Sequence, residues 1–98
     1  MEYIPSVVQA VAGENYTVYA YFTDGTVRLF DVKPLINRGG VFAQISDRET
    51  FAGLLTVLND TVAWDLSGTR DESSCIDLDP ITVYRKGVEV DDPLGSVA

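Results

Sequence analysis

Chemistry in a protein begins with nucleophiles, proton carriers and metal ligands, and this chain has few of them. It contains one cysteine, Cys75, and no histidine, so the usual general base of neutral pH is missing. A thiol needs a base or a positive charge beside it to ionise, whereas Asp71, Glu72 and Asp77 surround Cys75 in sequence and push a thiol pKa upward. Cys75 therefore reads as an idle thiol, and a lone cysteine forms no intramolecular disulfide. Carboxylates remain. Asp77 and Asp79, with Asp71 and Glu72 upstream, offer hard oxygen ligands, but the ligand spacing of a Ca²⁺ loop is absent and Asp79 stands where a helix cap belongs. The same acids are the raw material of a glycosidase pair, yet so short a chain leaves little room for a sugar cleft. The glycines match neither a P-loop nor a dinucleotide fingerprint. A zinc site would have to be built from carboxylates. The expectation is a protein without catalytic residues, cofactor or metal.

The elements that would position any binding residues are legible in stretches. Tyr16–Thr23 and Thr26–Val32 are β-rich runs around Asp24-Gly25, the sequence of a two-residue hairpin turn. That turn sets Tyr21 opposite Arg28, Ala20 opposite Leu29 and Tyr19 opposite Phe30. Side-chain alternation then gives a core face of Val18, Ala20, Phe22, Val27 and Leu29. The reverse face would carry Thr17, Tyr19, Tyr21, Arg28 and Phe30, with Arg28 lying over Tyr21. It is either covered by the chain itself or open to a partner. Upstream, Ile4–Ala12 reads as a further strand, limited to an edge or a strand start by Pro5, which makes a three-stranded meander.

Beyond Asp31 the texture changes. Lys33–Arg38 is a short helical turn with Pro34 near its start and Gly39-Gly40 as its stop. Ser46, with Glu49 three residues later, has capping-box spacing and opens a helix carrying Phe51 and Leu54-Leu55. Thr56–Leu58 and Thr61–Trp64 form a second hairpin about Asn59-Asp60, with Trp64 in the core. Gly68–Ser74 is a polar surface loop. Asp79-Pro80 starts a last helix that ends on Arg85-Lys86-Gly87. The fold class is thus α+β: a small antiparallel sheet, meander plus hairpin, with two or three short helices. One domain spans 1–87, and 88–98 reads as a mobile acidic tail.

The chain has 98 residues, 46% of them apolar, which is one domain with a real core. Its net charge of −8 is unevenly placed. Residues 1–45 hold four acids and three bases, and residues 46–98 hold eleven acids and four bases. Such a surface repels phosphate, so no direct nucleic-acid binding is expected, and it favours a basic protein partner. No apolar run is long enough to cross a bilayer, and the first residues lack a basic, then apolar, leader pattern, so the expected location is the cytoplasm. Self-association is left open.

The stretch Phe22-Thr23-Asp24-Gly25-Thr26-Val27-Arg28-Leu29-Phe30-Asp31-Val32-Lys33-Pro34-Leu35 resembles the signature of the bacterial domain-of-unknown-function 2442 family. Gly40–Ile45, Phe51, Val62-Ala63-Trp64 and Ile76–Pro80 continue that resemblance in order, over about residues 4–86. The sequence departs from the family pattern in one place, a longer connection from Asp65 to Cys75. The resemblance implies a small α+β domain and brings no catalytic residues. Some members look like antitoxins of toxin–antitoxin pairs. Longer ones carry a C-terminal helix-turn-helix domain, a role that does not transfer to this sequence. The expected function is a non-catalytic protein-interaction module, antitoxin-like, for a small basic protein. Its contact residues would be Tyr19, Tyr21, Arg28 and Phe30 as anchors, with Asp71, Glu72, Asp91 and Asp92 steering. The alternative is a regulatory domain that binds a small molecule or metal ion on the Tyr19/Tyr21/Phe30 face or at Asp77/Asp79.

Overall fold

A computed structural model describes residues 4–70 and 75–94. Two antiparallel sheets carry the fold, and short helices fill the spaces between them. In chain order the elements are β1 (Val7–Ala12), β2 (Thr17–Phe22), β3 (Val27–Asp31), α1 (Lys33–Arg38), a 3-10 helix (Gly40–Ile45), α2 (Arg48–Gly53), β4 (Leu55–Leu58), β5 (Thr61–Asp65), β6 (Cys75–Asp77), α3 (Pro80–Lys86) and β7 (Val88–Val90). The first sheet runs β1-β2-β3-β7 and the second β4-β5-β6. The α+β class, the meander and the second hairpin are as the sequence implies.

The first hairpin differs from its expected form by one residue, and the difference inverts a strand. Tyr21 pairs with Val27, Ala20 with Arg28, Tyr19 with Leu29 and Val18 with Phe30. The loop is Thr23-Asp24-Gly25, closed by a hydrogen bond from the Phe22 N–H to the Thr26 carbonyl at 2.9 Å. Gly25 has φ 88°, while Asp24 is not among the residues with positive φ. This is the three-residue loop in which a tight turn is followed by a left-handed glycine. Asp24 selects it: its carboxylate accepts from the Thr26 N–H at 2.9 Å and the Thr26 hydroxyl at 2.6 Å. A one-residue slip sends every side chain of β3 to the other face. Arg28 and Phe30 therefore point to the core side, while Val27 and Leu29 share the outer side with Tyr19 and Tyr21. Phe30 packs on the core cluster, to which neither Val27 nor Leu29 belongs. Replacing Gly25 by Val meets no neighbouring atom, so its cost is the backbone conformation alone. We expect a loss of about 1–2 kcal/mol, seen as a melting temperature lower by roughly 5–10 °C, with Gly25→Asn costing less.

The β4–β5 hairpin has the two-residue loop, with Asn59 at φ 51° and Asp60 at φ 64°. Its second strand is the centre of the molecule, since all five residues of β5 are buried. Trp64 is 0% exposed and donates its indole N–H to the Phe51 carbonyl at 2.9 Å. The core lies between the inner face of the first sheet (Val7, Val18, Ala20, Phe22) and the second sheet (Val62, Trp64, Ile76). Phe51 of α2 and Val83 of α3 are buried in it, with Leu35 and Ile36 of α1 half-buried against it.

Helix boundaries follow the capping chemistry. Asp79 caps α3 as its sequence implies, accepting from the Ile81 N–H and the Thr82 hydroxyl, each at 3.1 Å. For α2 the cap is Asp47 and not Ser46: its carboxylate accepts from the Thr50 N–H at 3.1 Å. Ser46 instead offers its carbonyl to the Tyr16 hydroxyl. The helix stops at Gly53, which releases Leu55 into β4.

The expected tail is corrected too. Residues 88–90 are not a tail but the fourth strand of the first sheet, paired Leu29 to Val88 and Val27 to Val90. Gly87 makes this possible by close approach and not by a left-handed turn. Its φ is −67°, and a Cβ there would lie 2.5 Å from the Val83 carbonyl oxygen and 3.1 Å from the Arg28 Cβ.

Candidate functional site

Outward-facing residues of the first sheet form the most distinctive surface. Alternation places Gln9 and Val11 of β1, Thr17, Tyr19 and Tyr21 of β2, Val27 and Leu29 of β3, and Val88 and Val90 of β7 on it. The buried helix residues join the core on the inner side of this sheet. Val27 is buried, Tyr19, Tyr21, Leu29 and Val90 are half-buried, and Val88 is 64% exposed. At one end a shallow groove runs from Tyr19 and Leu29 to Glu14, Asp31 and Lys33. At the other end Asp91 and Asp92 follow β7.

Tyr21 donates its hydroxyl to the Asp92 carboxylate, which also accepts from the Leu94 N–H at 2.9 Å. The chain after β7 thus folds against the end of Tyr21. Desolvation, and then the hydrogen bond and charge of Asp92, push the Tyr21 hydroxyl up to about 12, so it remains a donor throughout the physiological range.

Of the eight anticipated contact residues, the structure brings Tyr19 and Tyr21 to this face, with Asp91 and Asp92 at its edge. Arg28 and Phe30 lie on the opposite side of the sheet. The Arg28 guanidinium sits 3.9 Å from the centre of the Tyr84 ring, in place of the expected contact with Tyr21, and donates to the Tyr84 carbonyl at 3.1 Å. The Tyr84 hydroxyl in turn donates to Asp24 at 2.8 Å, so this cluster fastens α3 to the first hairpin. The Asp24 hydrogen bond, followed by desolvation, raises the Tyr84 pKa. Asp71 and Glu72 lie outside the described residues. The face also holds Val11, Leu29, Val88 and Val90, which the sequence reading did not place there. Val88-Glu89-Val90 alternates, but over too few residues to stand out as a strand.

Other anticipated features are dispersed. Asp77 is exposed on β6, Asp79 is engaged as a cap, and Cys75 is half-buried in β6. Among the described residues no group of three or more His, Cys, Asp or Glu side chains comes together. No described helix is long and apolar enough to cross a membrane. Phe30 lines a separate apolar slot of about 290 Å³ with Leu35, Phe42, Leu78 and Val83, and Asp77 stands at its margin.

The start of the long connection after β5 is ordered around one carboxylate. Asp65 accepts from the Arg70 N–H at 2.7 Å, the Gly68 N–H at 3.0 Å and the Ser67 hydroxyl at 3.2 Å. Burial opposes its ionisation, but these donors together outweigh it and hold the carboxyl below the usual range. Asp24 is lowered as well, chiefly by the Thr26 hydroxyl. A carboxylate lowered in the folded state stabilises the fold above its unfolded pKa, near about 3.9, and that contribution is lost as pH falls through the folded value. Unfolding free energy should therefore rise between about pH 3 and pH 5. Denaturation of Asp65→Asn across that range should show a smaller rise.

A small α+β domain with its helices on one side of a four-stranded antiparallel sheet, and an apolar, acid-flanked surface on the other, is the class these elements define. The model of the family described as Protein of unknown function (DUF2442) matches residues 7–89, and the chain belongs to that family. The match runs from the start of β1 to Glu89 within β7. Comparison with curated proteins and with solved structures returned no match.

Proposed function

We propose that this chain is a non-catalytic protein-interaction module that binds a basic protein through the outer face of its first sheet, as an antitoxin holds its toxin. The observation that carries this reading is the joining of Tyr19, Leu29 and Val88 on one surface with carboxylates at both ends. Aromatic and aliphatic anchors supply most of the affinity in such interfaces, and complementary charge speeds encounter and excludes wrong partners. The net charge of −8 makes a basic partner the complementary one. Co-expression with the product of the adjoining gene tests this. A small basic neighbour should co-purify with the wild type and be lost with Leu29→Glu, whose own melting temperature should stay near that of the wild type. An acidic neighbour, or a complex indifferent to Leu29→Glu, would refute it. The slot beside Phe30 supports a second reading, in which a small apolar ligand binds between β3, α1 and α3. A thermal shift with small aromatic compounds that disappears in Leu35→Ala would favour it.

A further inference from the structure

The two edges of the first sheet are built differently. At β1 the register is broken by a bulge between Val7 and Gln9, and the Val7 N–H is taken by the Asp60 carbonyl at 2.9 Å. Both features blunt an edge. At β7 the pairing to β3 is regular through Val27–Val90, Arg28–Glu89 and Leu29–Val88. Its outward peptide groups bond no other backbone group among the described residues. The strand contains no lysine, proline or bulge, and valine favours extended backbone; its three-residue length and the core-side Glu89 limit which segment can pair with it.

We propose that β7 is the docking edge of the partner: an extended segment of the basic protein adds to it as a fifth strand. This rests on the outer face being the partner-binding surface. Alternation dictates the side chains of that segment. Positions beside Val88 and Val90 continue the apolar outer face and are apolar. The position beside Glu89 lies on the opposite face, next to a carboxylate 63% exposed and only loosely paired with Arg28 at 3.9 Å, and is Lys or Arg. Asp91 favours a second cation at the strand end. A second copy of this chain fits poorly. Antiparallel pairing of β7 with itself about its centre would set Glu89 against Glu89, and like charges directly opposite one another destabilise a sheet. Glu89 thus deters self-pairing while it attracts a basic strand.

The probe is a synthetic peptide of alternating lysine and valine, blocked at both ends and added to the isotope-labelled full chain. Amide shifts should move at Val88–Val90. At peptide about ten times its Kd, hydrogen exchange at the outward amides of β7 should slow about tenfold. Two further peptides carry N-methyl groups, one on the valines and one on the lysines. Only one set of peptide N–H groups faces the edge, so one methylated peptide should bind like the parent and the other should not. Glu89→Lys should exchange the preference to a peptide alternating glutamate and valine. Equal binding by both methylated peptides, or shifts at Tyr19 and Leu29 without β7, would overturn strand addition and leave the outer-face reading intact. Absence of shifts with every peptide would also overturn it, while the co-purification test judges the outer face separately.

Discussion

Replacing Trp64 by Ala should cost about 3–5 kcal/mol of folding stability. The indole is 0% exposed and packs against Phe51, with ring centres 5.3 Å apart. Phe51 in turn meets the edge of Tyr16 at 5.2 Å, so the cavity would open within a row of rings that joins both sheets. The Phe51 carbonyl would also lose the indole N–H that satisfies it, a further cost on the order of 1 kcal/mol. A domain of this size has a total stability of roughly 5–15 kcal/mol, so the variant should lose a large share of it and melt well below the wild type. Chemical denaturation followed by far-ultraviolet circular dichroism measures this, because Trp64 is the sole tryptophan and its fluorescence leaves with it. Trp64→Phe keeps most of the ring volume and should recover more than half of the loss. A Trp64→Ala cost below about 1 kcal/mol would contradict a buried, packed indole.

Binding should respond in two separable ways. Leu29→Glu places a charge at the centre of the outer face and should weaken the complex by at least about 30-fold, the scale of losing one central anchor, mostly through faster dissociation. Glu14→Gln, Asp31→Asn and Asp91→Asn together remove charge from the rim while leaving the apolar centre alone. That triple variant should associate several-fold more slowly at low salt, with a flatter salt dependence and little change in dissociation. If these acids served solubility alone, its association rate would equal that of the wild type at every ionic strength. Stopped-flow mixing at two salt concentrations decides the matter.

What could be read from the sequence was what neighbours in sequence decide. Asp79-Pro80 announced a helix start because the cap bonds lie within three residues, and Asn59-Asp60 announced a hairpin for the same reason. Asp24-Gly25 announced a turn but not its length. Two- and three-residue loops both place a glycine at positive φ and differ in the conformation of Asp24, which its bonds to Thr26 determine. That one residue decided which side of β3 became the surface, and so moved Arg28 and Phe30 away from Tyr19 and Tyr21. Ser46 and Asp47 are both good caps, and tertiary contact chose between them, since Tyr16 takes the Ser46 carbonyl. β7 escaped notice because three residues are too few for a periodic signal and its pairing partner lies far back along the chain.

That distant pairing orders the folding reaction in time. The β1–β2–β3 meander and the β4–β5 hairpin close short loops and need only their own residues. Val88–Val90 must travel back to Val27–Leu29 across everything between, and such long loop closures come late in a folding trajectory. Truncating Val88 or Val90 to alanine should therefore speed unfolding and leave the refolding rate nearly unchanged, with φ-values close to zero. Until that step is complete the whole edge of β3 is a template for any passing strand, and once β7 docks the remaining edge is three residues long and carries Glu89, so the hazard of aggregation is greatest in a brief intermediate.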